Sequence, residues 1–62
     1  MDLMEKNKSG ISKYDIQKVA NDLTIGITDE QINEVWKEYD EVVADFPNEN
    51  WTAIVEDLIY KL

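Results

Sequence analysis

The sequence predicts an all-α fold, a small three-helix bundle with helices over about residues 13–24, 29–45 and 50–61. Three observations carry this. Apolar residues recur at steps of three and four in three separate stretches. A side chain suited to capping a helix precedes each stretch. No stretch keeps the period of two that marks a strand, and nothing reads as a hairpin turn.

The first helix is expected to begin after Ser12, whose hydroxyl can accept from free backbone N–H groups, with Asp15 near the positive end of the helix dipole. Ile11 and Ile16 have the spacing of a hydrophobic staple. Ile16, Val19, Ala20 and Leu23 then share one helical face, and Gly26 stops the run with Thr24 and Ile25 in the turn. The second helix opens on Thr28-Asp29-Glu30-Gln31, a capping box, with Ile27 and Ile32 as its staple. Ile32, Val35, Trp36, Tyr39, Val42, Val43 and Phe46 keep one face, and Pro47 ends the helix by forcing the preceding residue out of helical dihedrals. The helix is expected to run over about 29–45, and a break near Asp40 would be the first correction to that span. Asn48 or Asn50 caps the third helix, whose apolar stripe is Trp51, Ile54, Val55, Leu58 and Leu62, with Ile59 on the flank. Trp36, Tyr39, Phe46 and Trp51 lie on faces rich in aliphatics and are expected in the core.

At 62 residues the chain is one domain, divided here into a flexible N-terminal segment, 1–10, and a single helical domain, 11–62. A core of this size supplies only about 3–5 kcal/mol. With no cysteine and no histidine, disulfides and ordinary zinc sites are excluded. Fourteen acids against six basic residues, all lysine, give a net charge of −8, which disfavours direct binding to nucleic acid or to an anionic membrane. Residues 1–10 lack the apolar run of a signal peptide, and no stretch approaches the ~20 apolar residues of a membrane span, so a cytoplasmic location is expected.

Enzymatic machinery is not expected. Ser9 and Ser12 have no histidine to activate them, no lysine sits in an apolar context, and Gly10 and Gly26 stand alone rather than in a phosphate loop. No calcium loop of the EF-hand type is present, and no cofactor or metal is expected.

The charge is unevenly placed. Residues 1–20 hold three acids and four lysines, whereas residues 21–62 hold eleven acids and two lysines. Glu30, Glu34, Glu38, Glu41 and Asp45 recur at steps of three or four on the second helix, opposite its apolar face. Successive carboxylates stand about 5–6 Å apart along the axis, the order of the phosphate separation on a DNA strand. Asp29, Asp40, Glu49, Glu56 and Asp57 can extend the patch. Like charges at this spacing cost a helix about 0.2–0.5 kcal/mol per pair, with Lys37 the only offset on this helix. One reading is a decoy of nucleic acid that binds a basic, nucleic-acid-handling protein; the plain reading is a solvated face. A second candidate surface is aromatic: Tyr14 and Tyr60 point away from their core stripes, and with Ile59 they can form an apolar surface for a partner or a second copy.

Ile27-Thr28-Asp29-Glu30-Gln31-Ile32 and Trp51-Thr52-Ala53-Ile54-Val55-Glu56-Asp57-Leu58-Ile59-Tyr60 resemble small acidic helical proteins of bacteriophages and bacterial mobile elements, over residues 27–62. Some of those relatives carry a proline soon after the tyrosine corresponding to Tyr39, where this chain has Asp40 and Glu41. The resemblance implies an accessory role in a bacterial cytoplasm and transfers no activity and no site residue. The expectation is therefore a non-enzymatic interaction module, a monomer or weak homodimer. Its partner is a protein with a basic surface met by the acidic face, or alternatively one met through the apolar surface around Ile59 and Tyr60.

Overall fold

The computed structural model describes residues 3–62. Three helices, α1 (Lys13–Asp22), α2 (Asp29–Asp45) and α3 (Trp51–Tyr60), each pack against the other two and form a three-helix bundle. Among the described residues, no helix is long and apolar enough to cross a membrane.

Local chemistry sets each helix start. Ser12 Oγ accepts from Asp15 N–H at 3.2 Å, and Asp15 returns a carboxylate oxygen to Ser12 N–H at 3.0 Å, a full capping box. Thr28 and Gln31 repeat the arrangement at 3.2 and 2.9 Å. Asn50, not Asn48, caps α3, its Oδ1 accepting from Thr52 N–H at 3.1 Å. Helix α2 runs unbroken through Asp40.

Helix α1 ends two residues before the expected boundary. Thr24 takes a left-handed conformation at φ 61°, and its N–H reaches Asn21 C=O at 3.0 Å while Ile25 N–H reaches Ala20 C=O at 2.9 Å. These are the two bonds of a Schellman motif. Thr24 thus occupies the site that Gly26 was expected to serve, and a β-branched residue there costs about 1–2 kcal/mol. Thr24→Gly is expected to raise stability by about 0.5–1 kcal/mol, the relief of strain being partly offset by the freer unfolded chain. A higher urea midpoint for the variant is the check; a lower one would show that Thr24 is not strained.

The core is built from Ile11, Ile16, Val19, Ala20, Ile32, Val35, Tyr39, Ile54, Val55, Leu58 and Ile59, with Leu23, Ile25, Ile27, Trp36, Val42 and Val43 packed around it. Three residues expected in the core stripes are exposed: Phe46 (58%), Trp51 (44%) and Leu62. All three stand at helix ends. Leu62 lies beyond the last turn of α3, Trp51 is its first residue, and Phe46 is the cap of α2 with φ −130° and ψ 63°, off the helical wheel altogether. The hydrogen bonds of Asn7 and Ser9 to Trp36 and Asp40 place the start of α1 level with the middle of α2, so the last turn of α2 has no α1 beside it.

Residues 3–10 make contacts with both α1 and α2, through Leu3 and Glu5 to α1 and through Asn7 and Ser9 to α2. Asn7 organises the turn. Its Oδ1 accepts from Ser9 N–H and Ile11 N–H, both at 3.1 Å, and its Nδ2 donates to Trp36 C=O at 3.0 Å. Ser9 donates both its N–H (3.0 Å) and its hydroxyl (2.6 Å) to one oxygen of Asp40. Gly10, at φ 86°, closes the turn in a conformation that disfavours a side chain. Leu3 C=O accepts from Tyr14 N–H at 2.7 Å, satisfying a free donor in the first turn of α1. Trp36 is clasped from the same side: its Nε1–H donates to Ile11 C=O at 3.0 Å, and the buried Lys13 ammonium lies 4.5 Å from its ring centroid and 3.5 Å from Glu5.

Candidate functional site

Because α2 is continuous through Asp40, its acidic residues stay in register. At 100° per residue Glu30, Glu34, Glu38, Glu41 and Asp45 fall within an arc of about 80°, opposite Ile32, Val35 and Tyr39. All five are exposed. Fifteen residues separate the first from the last, which makes a carboxylate row about 22 Å long. Among the described residues none of the five forms a salt bridge, and Lys37, exposed at the edge of the row, forms none either. The row is therefore a solvated strip of like charge.

The other acids behave differently. Asp40 lies off the strip and is held by Ser9. Asp57 is paired with Lys61 at 3.1 Å on the surface. Glu56 is half-buried, and Asp29 is exposed on the flank of α2. Glu49 and Asp57 meet the strip at its C-terminal end, across an open cleft between α2 and α3 of about 310 Å³, lined also by Val42, Phe46, Ala53 and Ile54.

Of the aromatic surface, Tyr14 (49%) and Tyr60 (65%) are exposed as their wheel positions predict. Ile59 is not: at 3% exposure it belongs to the core, because its position beside Val55 turns it inward. The apolar surface expected around Ile59 and Tyr60 thus loses its aliphatic member. The α2–α3 cleft was missed by sequence reasoning, since Phe46 reads as core by period alone. The docking of residues 3–10 was missed too, although Asn7-Lys8-Ser9-Gly10 has the composition of an Asx turn closed by glycine.

Tyr39, on the buried side of α2, has its phenol pushed up from the ordinary value of 10.0, first by burial and then by the charge of Asp40 beside it. The folded chain therefore holds this proton more tightly than the unfolded chain. The sign is that its contribution is complete below pH 10.0 and is lost as pH rises through the folded value. Tyr39→Phe is expected to lessen the loss of stability in alkaline solution, measured by urea midpoints from about pH 8 to about pH 11. An identical pH profile in both proteins would show that Tyr39 is not the group responsible.

Comparison with protein-family models, with curated protein sequences and with solved structures finds no match to this chain.

Proposed function

We propose that this protein is a non-enzymatic interaction module that binds a basic, nucleic-acid-handling protein through the acidic face of α2. The observation that carries the reading is the row of Glu30, Glu34, Glu38, Glu41 and Asp45, all exposed and without salt bridges among the described residues. Such a row is held rigid by a helix anchored in the bundle, so its charge is presented at fixed spacing rather than on a floppy tail. In this reading the carboxylates take the place of phosphates on the partner's basic cleft, accelerating encounter and fixing register. The plain alternative, a strip that only keeps the protein in solution, uses the same charges without a partner.

In this reading the protein serves as an accessory of a phage or other mobile element in a bacterial cytoplasm. Replacing Glu34, Glu38 and Glu41 together by glutamine keeps the shape of the strip and removes its middle charges. Binding to a partner captured by the wild-type chain is expected to fall by about tenfold or more. Equal capture by both proteins overturns the assignment of the site to α2.

A further inference from the structure

The cleft at the C-terminal end of the acidic row has a composition the row lacks. Val42, Phe46, Ala53 and Ile54 give it an apolar floor, and Glu49 and Asp57 form its charged rim. On α2, Val42 stands four residues after Glu38 and three before Asp45, so the floor is the direct neighbour of the row. Phe46 projects 58% exposed, and its backbone N–H is already satisfied by Val42 C=O at 3.1 Å. The fold thus terminates α2 without needing the ring in the core.

We infer that this cleft receives an apolar side chain from a basic amphipathic helix of a protein partner, whose lysines or arginines lie on Glu38, Asp45, Glu49 and Asp57. The inference rests on the acidic-face reading and deepens it by naming the form of the partner. Charge complementarity selects the occupant. A second copy of this chain would bring another net charge of −8 against an acidic rim. Nucleic acid and anionic lipid are repelled for the same reason. At about 310 Å³ the open cleft has room for one or two side chains, at the lower limit for a drug-sized ligand. The surface pair of Asp57 with Lys61 is weakly held and can be exchanged for a partner's cation. An apolar anchor in a groove with cations around it is the helix-in-groove mode of recognition.

The test uses the full chain, isotopically labelled, and two synthetic peptides of identical lysine, alanine and leucine composition. One places its leucines at i, i+3, i+4 and i+7; the other is scrambled so that no apolar face forms. The amphipathic peptide is expected to bind about tenfold more tightly and to shift the amide signals of Phe46, Ala53 and Ile54. Phe46→Ala, or Ala53→Gln to fill the cleft from an exposed position, should abolish that preference and leave the scrambled peptide's affinity unchanged. Equal binding of both peptides, weakened by salt and by the three-glutamine exchange, overturns the cleft and leaves the acidic face standing. Binding of neither peptide overturns both. A dimer in sedimentation that Phe46→Ala dissociates assigns the cleft to a second copy and also overturns the inference.

Discussion

Trp36→Ala is expected to leave the chain largely unfolded at ordinary temperature. Trp36 joins three parts of the molecule: it packs against the core from α2, donates to Ile11 C=O at 3.0 Å, and carries the Lys13 ammonium 4.5 Å over its ring. Removing a large aromatic side chain from such a position costs about 3–5 kcal/mol, the lower figure suiting a ring that is only partly buried. A domain of this size has only about that much to lose. The loss is compounded because Ile11 C=O loses one of its two donors, keeping Asn7 N–H at 3.0 Å, and Lys13 loses its ring, keeping Glu5 at 3.5 Å. Trp36→Phe separates the contributions. It keeps a ring for Lys13 and loses the indole N–H, so about 1 kcal/mol is expected. Urea unfolding followed by circular dichroism checks both. A Trp36→Ala protein within about 1 kcal/mol of wild type would show that the clasp between residues 3–13 and α2 carries little of the stability.

The second large effect has the opposite sign. The three-glutamine exchange at positions 34, 38 and 41 is expected to stabilise the fold while weakening partner binding. Glu30–Glu34, Glu34–Glu38, Glu38–Glu41 and Glu41–Asp45 are neighbours at three or four residues, and each such like pair costs about 0.2–0.5 kcal/mol. The exchange relieves all four, and glutamine matches glutamate in helix propensity. Some of the gain is returned because Lys37 loses the nearby charges of Glu34 and Glu41. The net is about 1 kcal/mol, or a rise of about 4–8 °C in melting temperature for a domain of this length. The rise should shrink in high salt, where the repulsion is already screened. A protein that melts lower after the exchange would mean that the acids support the helix, and the argument that the strip is retained at a cost would fail.

The parts of this fold that depend on short-range chemistry were legible in the residues. The capping box at Thr28 and Gln31, the seven apolar positions from Ile32 to Phe46 and Pro47 together locate α2 over the span the structure shows. The acidic row was legible for the same reason, since a helix of known register fixes which side chains share a face. What escaped depends on neighbours far away in the chain. A helical wheel gives the direction of Phe46 and Trp51 but not how much of each ring the neighbouring elements cover, and at the ends of α2 and α3 both stay about half exposed. Thr24 escaped because glycine is the ordinary left-handed residue and Gly26 was close by. Asn7 and Ser9 escaped because their partners, Trp36 and Asp40, are 29 and 31 residues away. That same contact holds Asp40: its carboxylate accepts from Ser9, and α2 runs over 29–45 as its caps and period predict.

The central claim is that the acidic face of α2 recognises a partner by charge. Capture from bacterial lysate on the tagged chain, at about 50 mM and about 500 mM salt, with the bound proteins identified by mass spectrometry, tests it most directly. A nuclease, polymerase or other nucleic-acid-handling protein held at the lower salt and released at the higher is the result predicted. A partner that resists the higher salt, or recovery of this chain alone at both, would contradict it.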